Sequence, residues 1–435
     1  MSGPSVVYAE GDDHRRQRRI MAPGFGTPQA KALVPIFSAV ASSVTNKWKD
    51  LLSISNDRSE VFNIPAWISR ATLDAIGLAG FDYDFGAMDN DDNRLAKVYK
   101  NLFADLFAAP TNGMFMVGTL ISILPAKVAQ WFLEYNPSAR LARARVVREV
   151  SQDVARNLVS AKINEIANME GGKDVMSLMI KANLSENARS RLSEKELLAQ
   201  MQVLFIAGHE TTANTLSWTL LELSRRPELQ TKLRQEIHTK ERELAREERT
   251  EFTAEDFESL PYLSAVVKES LRYHPVALHI AKMAIDNDCI PLSNPITTTD
   301  GKQIDQITVS KGQIVFLSIP AYNRNKAVFG EDAHVFRPER WLQKSEGMGS
   351  TSVGVYANLL TFSGGVRSCI GWRFAVHELQ AFLVEMVRNF EFSLTPECER
   401  IRREACGVMV PTLAGELAKG VQCPLKVRCA RRDEY

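Results

Sequence analysis

A single cysteine stands between glycines in the stretch from Phe362 to Gly371, which reads FSGGVRSCIG. Cysteine binds metals as the thiolate, and nearby positive charge and hydrogen-bond donors keep a thiolate ionised. The glycines allow backbone N–H groups to approach the sulfur closely. Arg367, two residues before Cys369, could reach an anionic group of the same ligand. These residue types favour Cys369 as a ligand to a metal, although an isolated cysteine is more often a small buried apolar residue.

A second group of polar residues interrupts a long apolar helical pattern, predicted to run from Ser193 to about Arg226. Ser193 is a candidate N-cap because Glu196 follows three residues later, and Pro227 marks the end of the helix. The middle of this helix reads AGHETT. The pattern therefore predicts a buried helix with polar side chains at its centre.

Within AGHETT, Gly208 weakens a helix by roughly 1 kcal/mol relative to alanine. Glu210 and Thr211 place an acid beside a hydroxyl group, and buried polar groups need partners. An acid and a hydroxyl group on a connected hydrogen-bond path can relay protons. The alternative is a polar kink whose groups are satisfied locally. His209 is expected to face elsewhere, and it is not a candidate ligand.

Three arginines, a glutamate and a histidine are further candidates. Glu269 and Arg272 lie three residues apart on one predicted helix face, and FRPERW supplies Arg340. Such a pair alone is usually a surface ion pair. His14 and Arg18 are four residues apart near the start of the chain, where a solvated basic helix is the alternative interpretation.

In this order along the chain, these motifs resemble those of the cytochrome P-450 family, the haem-thiolate monooxygenases. The cysteine stretch carries the residues of the family signature, namely Phe362, Gly365, Arg367, Cys369 and Gly371. The resemblance runs from residue 11 to roughly residue 420. It implies haem b as the cofactor and Cys369 as the axial ligand of its iron.

The resemblance also assigns roles to the other cofactor-binding candidates. Arg18 and Arg367 would hold the haem propionates, and His14 stands where the family usually has tryptophan. Either His279 or Lys282 could reach a propionate, but each could equally be exposed.

The catalytic and structural candidates follow from the same resemblance. Thr211 would hydrogen-bond the oxygen substrate, while Glu210 would relay protons inward. Glu269, Arg272 and Arg340 would form a structural triad that holds the cysteine loop, because the planar guanidinium of arginine can engage a carboxylate with two parallel bonds.

The implied reaction inserts one oxygen atom of O2 into a small apolar organic substrate, and the cysteine thiolate promotes cleavage of the O–O bond. Electrons would come from NADPH through a separate diflavin reductase, because the chain has no fused GxGxxG or flavin module. Arg15, Arg16, Arg19 and Arg373 are candidates for a reductase-docking patch, with solvated helix faces as the default interpretation. Two alternatives stay open: a haem-thiolate isomerase or dehydratase without a reductase, and a truncated non-catalytic remnant.

Composition sets limits on these hypotheses. The 435 residues include 53 basic and 52 acidic side chains, for a net charge of +1, which argues against a nucleic-acid partner. The six cysteines show no zinc-like spacing and favour a reducing compartment. Cys423 and Cys429 could still pair with each other.

The predicted fold is mainly α-helical with small β-sheets, in a single domain over residues 1–435. Apolar periodicity and turn residues predict the elements. Besides the first basic helix and the helix over 193–226, we expect helices at 28–52, 63–80, 92–108, 137–168, 228–250 and about 370–390, strands at 277–285, 305–309 and 313–319, and a terminal hairpin at 407–420.

The N-terminal sequence departs from the usual family pattern. Members that are similar to this chain usually begin with a membrane anchor and the first strands, which precede the helix that here starts near residue 12. The sequence is therefore expected to be shortened, with an exposed sheet edge and weaker haem retention than a complete homologue. The family resemblance implies the cytosolic face of the endoplasmic reticulum membrane, whereas the chain itself, without an anchor, could be soluble and cytoplasmic. The apolar segment 113–124 is too short to span a bilayer and is expected to be buried or interfacial, with peripheral membrane contact as one outcome.

Overall fold

The computed structural model describes residues 3–90, 92–168, 172, 174–184, 191–343 and 353–431. In the described part, helices dominate and strands are short. The helices are α1 (Gly11–Met21), α2 (Thr27–Ala32), α3 (Val34–Ile54), α4 (Ile64–Phe81), α5 (Arg94–Tyr99), α6 (Leu102–Phe107), α7 (Asn112–Ser122), α8 (Ala126–Tyr135), α9 (Ala139–Ala167), α10 (Val175–Leu184), α11 (Glu194–Arg225), α12 (Pro227–Arg246), α13 (Ala254–Glu258), α14 (Pro261–Tyr273), α15 (Ile319–Asn323), α16 (Lys326–Phe329) and α17 (Trp372–Asn389).

The strands form small antiparallel sheets. They are β1 (Ser59–Asn63), β2 (His279–Met283), β3 (Asp288–Thr297), β4 (Gln303–Val309), β5 (Ile314–Ser318), β6 (Phe390–Leu394), β7 (Ile401–Cys406), β8 (Val408–Leu413) and β9 (Pro424–Cys429). One sheet has the order β1-β9-β6, and the pairs β2-β5, β3-β4 and β7-β8 form two-stranded sheets. The prediction of a mainly α-helical fold with little sheet is confirmed.

The helix predicted at 193–226 is confirmed as α11. The Ser193 hydroxyl accepts from the Glu196 N–H, and the Glu196 carboxylate accepts from the Ser193 N–H at 2.7 Å. This capping box satisfies two N–H groups that the first turn of a helix would leave unpaired. The long helices predicted at 63–80 and 137–168 are confirmed with small shifts of their ends.

Two predicted helices are divided in the structure. The segment 28–52 forms α2 and α3, which are separated at Leu33. The segment 92–108 forms α5 and α6, because Asn101 adopts a left-handed conformation with φ of 57°. Asparagine tolerates this conformation better than most residues, and a single such residue ends a helical run.

The predicted hairpin at 407–420 was placed too late in the sequence. The hairpin consists of β7 and β8, with Cys406 opposite Val408 and the turn at Gly407, whose φ is 77°. The exposed Arg402 and Arg403 on β7 hid this strand from a search for apolar runs. The predicted strands at 277–285, 305–309 and 313–319 correspond to β2, β4 and β5.

The β2-β5 and β3-β4 sheets are exposed along most of their length. The apolar side chains of Met283, Ile314 and Phe316 are 65%, 57% and 62% exposed.

Helix α11 lies against α4, α9, α12, α14 and α17, as well as β6 and β8. Most of its side chains between Met201 and Ser224 are buried. Helix packing of this extent explains why a helix with polar residues at its centre is retained, since burial of apolar surface stabilises by about 25 cal/mol per Å². The helix therefore forms a rigid support at the centre of the fold.

All six cysteines are free in the structure. The pairing that the sequence allowed between Cys423 and Cys429 is absent, because Cys423 is buried while Cys429 is exposed. None of the helices in the described ranges combines the length and the apolar character needed to cross a bilayer.

Candidate active site

The cysteine loop holds Cys369 just before the first turn of α17. The Cys369 N–H donates to the Phe362 carbonyl oxygen at 2.8 Å, which closes the loop. Phe362 and Ser368 are buried at 9% and 8% exposure, yet Cys369 is exposed. The loop is therefore packed on the protein, and its cysteine is presented to an open space.

Two groups act on the Cys369 sulfur in favour of the thiolate. Although Cys369 borders an open space, the protein atoms around the sulfur partly desolvate it and raise the pKa of the thiol, whereas the Gly371 backbone N–H and the Arg18 guanidinium lower it. The N-terminus of α17 adds a favourable dipole, because the unpaired N–H groups of a first turn carry partial positive charge. Protein donors thus partly offset the cost of holding a negative sulfur.

The arginines near this loop have partners in the structure. Arg18 donates to the Ser368 carbonyl oxygen at 2.8 Å and to the Ser368 hydroxyl at 3.2 Å. Arg367 forms an ion pair with Glu10. His14 is buried beside both arginines; burial first, and then the charges of Arg367 and Arg18, lower its pKa. The structure thus brings Arg18, His14 and Arg367 together beside the cysteine loop.

Glu269, Arg272 and Arg340 meet in the interior. Arg272 donates to both carboxylate oxygens of Glu269, at 2.9 and 2.7 Å, and Arg340 donates to Oε1 at 3.1 Å. Glu269 and Arg272 are both 0% exposed. The Glu269 carboxylate also accepts hydrogen bonds from two donors that the sequence motifs did not suggest. They are the Trp341 indole N–H at 2.9 Å and the Arg337 backbone N–H at 2.7 Å.

This cluster is linked to the cysteine loop through Asn323. Arg272 donates to the Asn323 carbonyl oxygen at 3.0 Å. The Asn323 side chain then accepts from the Leu360 N–H at 3.0 Å and donates to the Thr361 hydroxyl at 2.8 Å. Thr361 precedes Phe362, the residue that binds the Cys369 N–H. The buried cluster therefore positions the start of the cysteine loop through hydrogen bonds.

Gly208 has a structural cause that sequence reasoning missed. A Cβ atom at this position would lie 2.7 Å from a side-chain atom of Ile76 in α4. Glycine is thus required because α4 and α11 approach closely, a reason that is visible only in the packed structure. The sequence interpretation had connected the cost of this glycine with function.

Glu210 and Thr211 point in different directions from α11. Glu210 is buried, and its carboxylate accepts from the Ser69 hydroxyl at 2.8 Å and from the Asn214 amide at 3.2 Å. Thr211 is half-buried and donates back to the Ala207 carbonyl oxygen at 2.8 Å. Ala207 is exposed in the middle of this otherwise buried helix. The face of α11 that carries Ala207 and Thr211 is therefore the one that the rest of the protein leaves uncovered.

The Glu210 carboxylate lies instead on the wall of a cavity of about 610 Å³. Residues of α4, α5, α11 and the segment before β9 line this cavity, among them Ser69, Tyr99, Asn214 and Gln422. Burial, the largest influence, raises the pKa of Glu210, but the nearby His209 side chain and the Ser69 and Asn214 donors bring the pKa below its ordinary value. The acid is therefore held as a carboxylate with access to a polar cavity.

His279 and Lys282 are exposed residues of β2. Successive side chains of a strand point to opposite faces, so two residues three positions apart cannot face the same group. The His279 ring contacts Phe316 on β5, with ring centroids 5.0 Å apart. One of the two residues at most can therefore reach a given propionate.

These features fit a thiolate-bound haem. Among the described residues, no group of three or more histidine, cysteine or acidic side chains is arranged to hold a metal ion. Cys369 is exposed from a buried loop, and Arg18 lies beside it. Helix α11 packs on α17, which begins just after Cys369, and Ala207 of α11 is exposed.

Comparison with known proteins identifies the class of protein that this fold and site belong to. The family model for Cytochrome P450 matches residues 2–417. The chain belongs to the cytochrome P450 family.

Relatives in fungi carry monooxygenase names. The chain is 35% identical to cytochrome P450 monooxygenase 205 of Postia placenta and 34% identical to cytochrome P450 monooxygenase claQ of Ampulloclitocybe clavipes, and each comparison covers 98% of this chain and 77% of the relative. It is 33% identical to ganoderic acid synthetase CYP5150L8 of Ganoderma lucidum, over 90% of this chain and 73% of the relative. The protein is thus a monooxygenase of the P450 family, and membership implies haem as its cofactor.

Proposed function

We propose that the chain binds haem b through the Cys369 thiolate and inserts one oxygen atom of O2 into a small apolar organic substrate. The observation that carries this proposal is the exposed Cys369 sulfur, beside the Gly371 N–H at the start of α17. When bound, haem supplies the activation of molecular oxygen, and a thiolate ligand favours O–O cleavage.

The residues of this chain would divide the remaining work. The Arg18 guanidinium holds the Ser368 end of the cysteine loop and has the charge needed for a propionate. Arg367 could bind the second propionate if it exchanged its Glu10 partner, which is 86% exposed. The buried cluster of Glu269, Arg272 and Arg340 would hold the cysteine loop in place through its hydrogen bonds.

Apolar side chains support an apolar substrate. The hairpin turn at Gly407 packs against the rings of Phe103 and Phe107, whose centroids are 6.3 Å apart. Val408 and Val410 of β8 form a separate buried apolar cluster with Ala104 of α6. Apolar side chains of this kind would exclude water and favour an apolar ligand.

Electrons would reach the site from NADPH through a separate diflavin reductase. Of the arginines considered for docking, Arg15 and Arg19 are exposed, and Arg373 stacks on Trp372 at 4.2 Å. Arg16 is engaged by Glu196 and Asp13, so it contributes less free charge to a docking surface. Arg15 is likewise paired with Asp12 at 2.6 Å, so the proposed docking surface rests mainly on Arg19 and Arg373.

The test of this function is oxygen uptake by the purified chain, reconstituted with haem, NADPH and a diflavin reductase. Uptake that depends on both NADPH and the reductase, together with an oxygenated product, supports the monooxygenase. Rearrangement of an oxygenated substrate without a reductase would instead support the isomerase or dehydratase alternative. Failure to bind haem would support the non-catalytic alternative.

Replacing Glu210 with glutamine is expected to reduce the fraction of consumed O2 that appears in product. Loss of a positioned acid typically costs on the order of 10² in a proton-transfer step. The measurement is product formed per O2 consumed, with Glu404→Gln on the β7 strand as a matched acidic control. An unchanged ratio in Glu210→Gln would exclude a role for this acid in proton delivery.

We also propose that α7 and α8 contact a membrane surface peripherally, at the cytosolic face of the endoplasmic reticulum. Both helices expose large apolar side chains, including Phe115 at 63%, Met116 at 67% and Trp131 at 61%. Soluble monomers rarely expose contiguous apolar patches of this kind, and a tryptophan suits the interface between lipid and water. The sequence left two alternatives for the segment 113–124, buried or interfacial. The exposure of these side chains favours the interfacial alternative.

Replacing Phe115, Met116 and Trp131 together with serine is expected to weaken binding to phospholipid vesicles by more than about tenfold. Each apolar side chain that the membrane buries contributes about 1.5–3 kcal/mol. Co-sedimentation with vesicles measures this change. The control carries serine at Tyr8 and Ile54, which are 79% and 80% exposed elsewhere on the surface. Equal losses in both variants would contradict a specific membrane surface.

A further inference from the structure

Two arginines from distant parts of the chain lie against the ring of Tyr273, the last residue of α14. The guanidinium carbon of Arg324, just after α15, is 4.9 Å from the ring centroid, and that of Arg403 on β7 is 5.2 Å from it. Arg324 and Tyr273 are half-buried, whereas Arg403 is exposed. The arginine pair is therefore open to solvent on the Arg403 side.

The protein itself supplies few hydrogen-bond acceptors to these two guanidinium groups. Arg324 donates from Nη2 to the Tyr273 carbonyl oxygen at 2.5 Å, but its buried Nε has no hydrogen-bond partner among the described residues. Within the same residues, Arg403 makes neither a hydrogen bond nor an ion pair. A guanidinium has five N–H donors, so most donors of this pair lack a protein acceptor.

The positive charge of the pair also lacks a carboxylate of its own among the described residues. Burial first, and then the charge of Arg403, lowers the pKa of the Arg324 guanidinium. The Glu222 carboxylate has the opposite effect on Arg324. That carboxylate is already paired with Arg225 at 2.9 Å and with Arg226. The two guanidinium groups therefore repel each other, and this repulsion is only partly balanced.

Two features of the fold reduce the repulsion. Helix α14 ends at Tyr273, and the last carbonyl groups of a helix carry partial negative charge. The face of an aromatic ring also attracts cations. Neither feature supplies an acceptor to the N–H groups of Arg403, which an anion from solution could supply.

We propose that Arg324 and Arg403 form a binding site for a phosphate group. A phosphate monoester carries about 1.5 to 2 negative charges at pH 7 and three acceptor oxygens, which suits two guanidinium groups from different elements. Arginine can also bind phosphate with two parallel hydrogen bonds. A carboxylate has a single charge and would leave the pair positive. Free phosphate and a phospholipid headgroup share this chemistry, and the experiment below distinguishes these two sources.

The site is adjacent to the hydrogen bonds that position the cysteine loop. Arg324 directly follows Asn323, whose side chain binds the Leu360 N–H and the Thr361 hydroxyl. A bound phosphate would remove the repulsion between Arg324 and Arg403 at this point. Because a ligand that binds the folded state stabilises it, phosphate should raise the temperature of unfolding.

Arg402 provides a matched control on the same strand. It is exposed like Arg403, and successive side chains of a strand point to opposite faces, so Arg402 points away from Tyr273. In the β7-β8 hairpin, Arg402 lies opposite Thr412 and Arg403 opposite Pro411. Arg402→Gln and Arg403→Gln each remove one positive charge from β7, but only the second removes it from the Tyr273 ring.

Isothermal titration calorimetry of the purified full chain with inorganic phosphate tests the site, with chloride keeping the ionic strength constant. Binding is expected to saturate at one phosphate per chain. Arg403→Gln should weaken it by about tenfold or more, because charge-assisted hydrogen bonds are lost. Arg402→Gln should change the Kd by less than about threefold, as expected for an exposed charge outside the site. Equal weakening in both variants would overturn the proposal, since overall surface charge would then explain the binding.

Co-sedimentation with phosphatidylcholine vesicles, with and without phosphatidic acid, tests the lipid source. A gain from phosphatidic acid in the wild-type protein and Arg402→Gln, but not in Arg403→Gln, assigns the phosphate group to a lipid headgroup. The proposal is wrong if inorganic phosphate shows no saturable binding and phosphatidic acid gives no such difference between the variants.

Thermal unfolding monitored by circular dichroism gives an independent readout. Phosphate should raise the unfolding temperature of the wild-type protein and of Arg402→Gln, but not that of Arg403→Gln, if free phosphate is the ligand. An equal rise in all three proteins would contradict a site at Arg403. These measurements involve no turnover, so their outcome is independent of the proposed monooxygenase reaction.

Discussion

The Soret band of a thiolate-bound haem is expected to disappear from the reduced, carbon-monoxide-bound protein when Cys369 is replaced by alanine. Alanine removes the sulfur that is exposed at the start of α17 but leaves the loop hydrogen bond between the Cys369 backbone N–H and Phe362, which does not involve the side chain. Haem affinity should fall as well, because an axial bond to the protein is lost.

The matched controls for this experiment are Cys289→Ala and Cys429→Ala. Both residues are also exposed free cysteines, but they lie on β3 and at the end of β9, away from the cysteine loop. Their spectra should equal that of the wild-type protein. A thiolate-type Soret band that survives in Cys369→Ala would contradict the ligand assignment. Circular dichroism of the haem-free variants would show whether the fold itself is retained.

The second large effect concerns the stability of the buried cluster. Glu269→Gln is expected to lower the free energy of unfolding by about 3–5 kcal/mol, because Arg272 and Arg340 would lose their buried counter-ion. Both arginines are almost fully buried, at 0% and 8% exposure, so water cannot replace the carboxylate. Urea denaturation monitored by circular dichroism measures the change.

A surface pair is the control for the Glu269 experiment. Glu391 and Arg428 form an ion pair at 2.5 Å on neighbouring strands, with side chains that are 22% and 59% exposed. Exposed pairs contribute about 0–1 kcal/mol, so Glu391→Gln should change little. If Glu269→Gln does not fold, Trp341→Phe removes a single donor from the carboxylate and should cost about 1.5–3 kcal/mol. Losses below about 1 kcal/mol in both cluster variants would contradict a stabilising role.

The same cluster shows how sequence spacing and tertiary structure share the explanation of this site. Two residues three positions apart share a helix face by geometry alone, which is why Glu269 and Arg272 could be paired from the sequence. Arg340 comes from a segment 71 residues later, and its pairing relied on the family resemblance. Trp341 lacked such a signal, since an indole N–H donor to a carboxylate follows no fixed spacing.

Helix ends and strand positions differed in how well they could be predicted. The ends of α11 have local causes, a capping box at Ser193 and a proline at position 227, and both lie within a few residues of the boundary. Strand β1 pairs with β9, where Ser59 lies opposite Arg428. Its formation depends on a partner at the other end of the chain, so local periodicity did not reveal it.

By itself, the sequence determined the family, the mainly α-helical fold and the stretch that presents Cys369, because these follow from residue types at short spacing. Only the tertiary structure decided where the polar side chains of α11 point. Glu210 binds Ser69, which is 141 residues away in the chain, and Gly208 is required by Ile76 of α4. The buried contact of His209 with Glu210 is likewise defined by packing against α4 and α5. Contacts between distant segments set these directions, since they depend on how helices pack rather than on the order of residues within one helix.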